Sequence, residues 1–201
     1  MIYGIAWVIW KILRTLSFPL KVQGKENVPA KGACIFASNH LSYLDPMIIG
    51  GCFPRRVSYL AKDSLFKNKL FGFFLNGVGA FPVKRDTADI GAIKEALKRL
   101  KAGCPLVLFP EGTRLTSQKE IQAGVALIAV KSGVPVVPVY LKGSNQVLPP
   151  GAKFLKRCPV SVTFGAPKIY SKEISYPKIA AQIMQEIYGD MHLPFNEREI
   201  L

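Results

Sequence analysis

The sequence predicts a single α/β domain whose central, mostly parallel sheet is flanked by helices. The chain has 201 residues, a length that fits one domain. Short apolar runs typical of buried strands alternate with segments of helical periodicity, which favours a parallel sheet covered on both faces. Apolar residues make up 49% of the chain and charged residues 20%, which excludes a disordered, collagen-like or coiled-coil protein.

The N-terminal segment has the composition of a helix that lies at a membrane surface. Lys11 and Arg14 are three positions apart and share one helical face, and Trp7 and Trp10 are typical of a bilayer interface. Only the first ten residues are free of charge, too few for a membrane span. The two internal cations also argue against a signal peptide.

These features predict an N-terminal membrane-interface helix over residues 1–20, ended by Pro19, and a main domain over residues 21–201. The alternative is an ordinary helix packed on the core. A second very apolar segment, residues 65–75, contains only two lysines and is a further candidate for contact with the membrane.

The elements of the main domain follow from periodicity and from turn residues. Six apolar runs predict strands, at residues 33–37, 57–61, 80–83, 106–109, 134–141 and 160–164. Four segments predict helices, at residues 46–51, 90–100, 124–131 and 179–187. Asp45 followed by Pro46 is a helix-start pattern in which Asp45 is expected to be the N-cap.

The net charge of +14 predicts a polyanionic partner: nucleic acid, an anionic bilayer or a phosphorylated ligand. The alternative is solvated lysines that serve solubility. The cations are scattered and no nucleic-acid-binding motif appears, so no nucleic-acid partner is expected. The four cysteines contain no C-x-x-C pair and the chain has only two histidines, so we expect reduced, mostly buried thiols and no metal site.

His40 and Asp45 are the first candidate pair for catalysis. On one regular helix, five positions correspond to about 500°, which would leave the two side chains about 140° apart. They can meet only if His40 lies in the loop before the helix, where Asp45 could hold one imidazole nitrogen and leave the other free to take a proton. The alternative is that Asp45 only caps the helix and His40 is an exposed loop residue.

Residues 109–114, F-P-E-G-T-R, form the second polar cluster. Gly112 would let a ligand approach the backbone, and the planar fork of Arg114 matches phosphate oxygens. Glu111 could orient Arg114 or bind a substrate hydroxyl; the alternative is a polar turn. Both clusters follow predicted strands, and the carboxyl ends of parallel strands share one edge of the sheet, so the clusters are expected to form one site.

Four blocks of the sequence resemble those of the glycerolipid acyltransferase family, which includes 1-acylglycerol-3-phosphate acyltransferase. Residues 39–45 look like its H-x-x-x-x-D box, and residues 80–85 resemble its second block. Residues 109–114 are similar to its third block, and residues 134–139 match its apolar fourth block. The blocks occur in the family's order, which makes chance agreement a poor explanation.

The resemblance implies direct acyl transfer from acyl-CoA or acyl-carrier protein to the hydroxyl of lysophosphatidic acid, which makes phosphatidic acid. His40 would be the general base, oriented by Asp45, and no cofactor is expected beyond the donor substrate. The enzyme would associate with the cytoplasmic face of an anionic membrane without spanning it. The residues implied in substrate binding are Lys84, Arg85, Glu111, Gly112, Thr113 and Arg114.

The sequence departs from the family pattern at two places. Leu115 stands where the family often has serine, and Gln122-Ala123 stand where it often has basic residues. The resemblance fades after Gly143, and the segment beyond it is expected only to complete the fold. Three alternatives stay open: a related enzyme with another acceptor such as glycerol 3-phosphate, another lysophospholipid or a lipid A precursor; a non-catalytic, basic membrane-binding protein; and a serine hydrolase.

Overall fold

The computed structural model describes residues 2–84, 89–111, 118–149, 151–152 and 154–189. In this part of the chain a seven-stranded sheet is the middle layer, and helices cover both faces. The strands are β1 (Leu20–Gln23), β2 (Ile35–Ser38), β3 (Ser58–Lys62), β4 (Ala80–Val83), β5 (Leu106–Leu108), β6 (Val136–Lys142) and β7 (Val160–Phe164). The helices are α1 (Ile2–Ser17), α2 (Asp45–Gly51), α3 (Lys69–Gly77), α4 (Ile90–Lys101), α5 (Gln118–Ser132), α6 (Ser144–Val147) and α7 (Tyr176–Tyr188).

The strand order β1-β7-β6-β2-β5-β3-β4 places β2 at the centre of the sheet. All neighbouring strands are parallel except β6 and β7, which are antiparallel. The helices α2, α3, α4 and α5 each connect two parallel strands, as crossover connections require. The predicted fold class, a mostly parallel sheet flanked by helices, is therefore confirmed.

The two faces of the sheet bury separate apolar clusters. One cluster joins the sheet to α4, α5 and α7, with Ala96, Ile128 and Ile183 almost fully buried. The other joins it to α2 and the end of α1, and it contains the stacked rings of Phe36 and Phe53, whose centroids are 5.4 Å apart. The first strand, β1, lacks a strong apolar pattern and was not predicted; it pairs in parallel with β7, far along the chain.

One face of α1 packs against the domain, as the alternative interpretation of this segment proposed. The Tyr3 hydroxyl donates to the Arg55 carbonyl at 2.8 Å, and the Trp10 ring lies 6.1 Å from that of Phe18. A Cβ atom on Gly51 of α2 would come within 2.3 Å of Trp10 Nε1, so the glycine makes room for the indole. The helix ends before Phe18 and Pro19, and Leu20 already belongs to the sheet rather than to the N-terminal segment.

The opposite face of α1 is exposed and apolar, and α1 contacts α3, whose aromatic side chains are also exposed. The side chain of Asn68 caps α3 by accepting a hydrogen bond from Phe71 N at 3.1 Å. None of the helices in the described residues is long and apolar enough to cross a membrane. We call the following side chains the apolar outer surface: Ile5, Val8, Ile9, Ile12, Leu70, Phe71, Phe73 and Phe74.

All four cysteines are free thiols, as expected. Cys34 is buried, whereas Cys52, Cys104 and Cys158 are only partly buried. Burial raises the pKa of the Cys34 thiol to about 11 and that of Cys52 to about 12. Both side chains are therefore neutral at physiological pH and poor nucleophiles.

Candidate active site

The two predicted clusters follow neighbouring strands at the centre of the sheet. The loop that carries His40 leaves the end of β2, and Glu111 follows β5 two residues after Phe109. Because β2 and β5 are parallel, with Ala37 paired to Leu108, both loops emerge at the same edge. The structure thus brings His40, Asp45 and Glu111 together, as their positions after strands predicted.

One oxygen atom of the Asp45 carboxylate binds three nitrogen atoms of the His40 loop. Asp45 Oδ2 lies 2.8 Å from His40 Nδ1 and accepts hydrogen bonds from the backbone N–H groups of Leu41 at 2.6 Å and Ser42 at 2.7 Å. The Asp45 side chain is fully buried. An imidazole that donates from Nδ1 to this carboxylate keeps a lone pair on Nε2, which is the form a general base needs.

Asp45 is not the N-cap of α2, so that prediction was wrong. Leu44 occupies the cap position and makes no side-chain hydrogen bond, while Asp45 is the first helical residue. Its carboxylate turns back onto the loop because three donors converge there. Its other oxygen, Oδ1, is buried without a hydrogen-bond partner among the described residues, so the hydrogen bonding of this carboxylate is concentrated on the His40 loop.

Asn39 and Phe109 hold the loop and the imidazole from two further directions. The Asn39 amide donates to the Leu141 carbonyl at 2.9 Å and accepts from Leu141 N at 2.7 Å, which fastens the loop to β6. The His40 ring stacks on Phe109, with centroids 4.1 Å apart and planes at 22°. The His40 side chain keeps 12% of its surface exposed, so the ring is fixed yet accessible.

The Glu111 carboxylate connects the His40 loop to the last described helix. Oε2 accepts from the backbone N–H of His40 at 3.4 Å, and Oε1 accepts from the Tyr188 hydroxyl. Burial, followed by the hydrogen bond to Glu111, raises the pKa of Tyr188 above its ordinary value, so the phenol remains a neutral donor. Glu111 is thus held between a backbone amide and a phenol.

A family model described as "Acyltransferase" matches residues 19–142, more than half of the chain. The chain belongs to the acyltransferase family. It is 33% identical over 158 residues to the 1-acyl-sn-glycerol-3-phosphate acyltransferase of Bacillus subtilis, which covers 78% of this chain and 77% of that relative. It is 31% identical over 137 residues to the chloroplastic 1-acyl-sn-glycerol-3-phosphate acyltransferase BAT2 of Brassica napus, covering 66% of this chain but only 40% of the plant protein.

Among solved structures, the acyltransferase is similar to the 1-acyl-sn-glycerophosphate acyltransferase PlsC from Thermotoga maritima. The TM-score is 0.70 at 25% identity, and the match covers 92% of this chain and 74% of the other. The similarity therefore extends well beyond the residues of the family model. It includes most of the described helices and strands.

The other predicted substrate-binding residues of this acyltransferase are only partly described. Lys84 is exposed at the end of β4, and its backbone N–H donates to Asp89 at 2.9 Å. Three strand spacings separate β4 from β2, about 14 Å, so Lys84 lies at the periphery of the edge that carries His40. The positions outside the described residues are Arg85, Gly112, Thr113 and Arg114.

Three side chains at the site were not assigned roles by sequence reasoning. Asn39 lies in the first motif, next to His40, and Phe109 lies in the second, close to Glu111. Their positions within the motifs were the sequence feature that could have marked them as site residues. Tyr188 had no such indication, because it lies in a segment expected only to complete the fold. Its neighbour Ile187 belongs to the buried apolar spacing that predicted α7.

Proposed function

We propose that this acyltransferase transfers a fatty acyl group from an acyl thioester to 1-acylglycerol 3-phosphate and produces phosphatidic acid. The observation that carries the proposal is the buried Asp45 carboxylate bound to Nδ1 of a partly exposed His40 beside Glu111. The names of the Bacillus, Brassica and Thermotoga relatives support the choice of acceptor. The donor is proposed as acyl-CoA or acyl-carrier protein.

The proposed reaction is a single direct transfer. Nε2 of His40 takes the proton of the acceptor hydroxyl while the hydroxyl oxygen attacks the thioester carbonyl. The tetrahedral intermediate then collapses: the carbon–sulfur bond breaks, and the departing thiolate receives the proton from His40. A positioned base contributes about 10²- to 10⁴-fold in rate, and holding both substrates together contributes further. Protons balance within the step, so it requires no cofactor.

The acceptor is proposed to bind across the edge of the sheet. A carboxylate offers about four lone-pair positions, and Glu111 uses two of them for His40 N and Tyr188, which leaves capacity for a glycerol hydroxyl. By the family resemblance, Arg85 and Arg114 bind the phosphate, with Lys84 nearby. Gly112 and Thr113 complete the pocket in the same interpretation.

The apolar outer surface is proposed to seat the enzyme on the cytoplasmic leaflet that contains its acceptor. Leu70 is 84% exposed and Phe73 is 68% exposed, an arrangement that is unfavourable in water and favourable in lipid. Exposed cations accompany these side chains, with Lys11 on α1 and Lys67 and Lys69 at the start of α3. They complement anionic headgroups.

The test is thiol release when the purified protein is mixed with palmitoyl-CoA and vesicles that contain 1-acylglycerol 3-phosphate. We expect acceptor-dependent release with phosphatidic acid as product, abolished in His40→Ala and retained in His192→Ala. Release that ignores the acceptor would instead make the protein a thioesterase. Transfer only to glycerol 3-phosphate or to another lysophospholipid would replace the proposed acceptor, and full activity of His40→Ala would reject the proposed base.

A further inference from the structure

The last described helix delivers a side chain to the site from outside the matched family region. Tyr188 is the final residue of α7, and the family model ends at residue 142. Its hydroxyl donates a hydrogen bond to Oε1 of Glu111, across 77 positions of sequence. The segment that follows the recognised motifs therefore reaches the same carboxylate as the His40 loop.

Tyr188 is held firmly enough to orient a partner. Its ring packs at 74° against Tyr140 of β6, with centroids 6.1 Å apart. The preceding residue, Ile187, is fully buried, and α7 packs on α5 and β6. A phenol fixed in this way has little rotational freedom to lose when it donates to a carboxylate.

Glu111 is the link between Tyr188 and the catalytic loop. Its other oxygen accepts from the backbone N–H of His40, so one carboxylate joins three segments of the chain. Glutamate has three rotatable bonds, and without a second anchor its carboxylate can leave any single orientation. The contact with His40 N is long at 3.4 Å, so by itself it restrains the carboxylate only weakly.

We propose that Tyr188 is a positioning residue for the acyl acceptor: its hydroxyl fixes the Glu111 carboxylate so that the remaining lone pairs face the acceptor's glycerol. The identity of the acceptor in this inference rests on the proposed function. The link from Tyr188 through Glu111 to His40 is independent of that function. The inference also assigns α7 a part in acceptor binding. Loss of the Tyr188 hydroxyl leaves the His40 imidazole intact but no longer fixes the orientation of the Glu111 carboxylate.

The same helix offers a matched control. The Tyr170 hydroxyl donates to Oε2 of Glu186 at 2.8 Å, and Lys168 forms an ion pair with Oε1 of Glu186 at 2.7 Å. This second tyrosine–glutamate bond anchors α7 without touching His40 or Glu111. Tyr170→Phe therefore removes a comparable bond from the same helix and reports the purely structural effect.

The first experiment compares Tyr188→Phe and Tyr170→Phe by steady-state kinetics. We expect Tyr188→Phe to raise the KM for 1-acylglycerol 3-phosphate about 10- to 150-fold, the range for the loss of a hydrogen bond to a charged group, with the KM for palmitoyl-CoA unchanged. Tyr170→Phe should change neither value. In a Glu111→Gln background Tyr188→Phe should add no further loss, because the two residues act through one interaction.

The second experiment needs no activity. The chain has only two histidines, so ¹⁵N-histidine labelling gives two backbone amide signals, of His40 and His192. We expect Tyr188→Phe to shift one of them, identified as that of His40 by its absence in His40→Ala. Tyr170→Phe should leave it in place.

These outcomes separate the inference from the proposed function. A shifted His40 amide in a protein that acylates no lysophosphatidic acid would reject the proposed acceptor and keep the link between Tyr188 and His40. An unshifted amide, or losses that simply add in the double variant, would overturn the inference whatever the activity. An acceptor KM in Tyr188→Phe equal to that in Tyr170→Phe would also overturn it.

Discussion

The His40 loop and the outer face of α1 differ in the burial and hydrogen bonding of their side chains. Around the loop, Asp45 at the start of α2 is fully buried and Asn39 is 2% exposed, and each side chain makes two hydrogen bonds with the backbone. On α1, Ile5 and Ile12 are 55% and 56% exposed. The first region suits the proposed proton transfer in a low-dielectric setting, and the second suits the proposed contact with lipid.

The comparison predicts that the proposed catalysis and the proposed membrane attachment can be separated by mutation, although one helix joins the two regions. The connection is α2, which begins at Asp45 and ends at Gly51, where it contacts Trp10 of α1. Substitutions in the loop should remove activity and spare lipid binding. Substitutions on the outer face should do the reverse.

Asp45→Asn should have the largest effect. The amide keeps the shape of the carboxylate but removes the charge that stabilises a protonated imidazole, and its NH₂ group cannot accept the three bonds that meet at Oδ2. We expect kcat to fall about 10²- to 10³-fold, with vesicle binding unchanged. Thiol-release kinetics and co-sedimentation with vesicles measure the two quantities. Asp63→Asn is the control and should keep full activity, because this carboxylate is partly exposed to solvent and, among the described residues, accepts a hydrogen bond from Ser64 N.

The double substitution Ile5→Glu and Ile12→Glu should come next. It places two charges on the face proposed to enter the interface, and we expect vesicle affinity to fall about 10- to 100-fold. Activity toward a short-chain, water-soluble acceptor should persist. The matched control is the double substitution Ile90→Glu and Ile169→Glu, because these side chains are 65% and 67% exposed and neither belongs to the apolar outer surface. Equal loss of binding in the control would mean that the charge itself, not the position, decides attachment.

Gly51→Ala tests the connection between the two regions. The new methyl group would meet Trp10 Nε1, so either the indole or α1 must shift, and we expect a loss of about 1–3 kcal/mol in the free energy of unfolding. Urea denaturation followed by tryptophan fluorescence measures it. Gly4→Ala lies in α1 with open space around it and should instead be neutral or stabilise by up to about 1 kcal/mol. Unchanged stability in Gly51→Ala would show that α1 is not seated on α2.

Asp89→Ala should have the smallest effect, since Asp89 is a solvent-accessible counterpart of Asp45. Hydrogen bonds from Lys84 N and then Ala92 N lower the pKa of its carboxyl group. A depressed pKa contributes stability above the unfolded-state pKa, near 3.9, and this contribution is lost as the pH falls through the folded-state value. We expect Asp89→Ala to lower the free energy of unfolding by about 0.5–1 kcal/mol at pH 7, because solvent screens these bonds, and by less at the acid limit, where only the bonds to a neutral carboxyl group remain to be lost. A difference of the same size at pH 7 and at the acid limit would contradict the electrostatic origin.

The sequence was sufficient for most of the sheet and for the centre of the site. Buried strands such as β2 and β5 are nearly continuous apolar runs, and the polar residues that follow these two parallel neighbours had to meet at the carboxyl edge. The helix-start pattern at Pro46 placed His40 in a loop, which is where the structure has it. Local patterns determine these features, so a single sequence reveals them.

The remainder depends on contacts between distant segments. The first strand, β1, is short, contains polar residues and pairs with Val160, about 140 positions away, so no local pattern marks it. Asp45 was assigned as a cap because the Asp-Pro pair is a local helix-start pattern. The backbone N–H groups of Leu41 and Ser42, which bind its carboxylate instead, reach it only through the folded shape of the loop. Tyr188 meets Glu111 across 77 positions, and its own helix gives no indication of that contact.

Only Phe18 and Pro19 separate the end of α1 from the start of β1, and Phe18 is buried. A protein on a flexible tether searches a volume around its anchor, whereas a rigid attachment keeps the site at one height and one orientation. For an enzyme seated through α1 as proposed, encounters with the acceptor are two-dimensional. Their frequency depends on the mole fraction of lysolipid in the leaflet. Inert lipid added to the vesicles would therefore slow the reaction, whereas dilution of the vesicles with buffer would not.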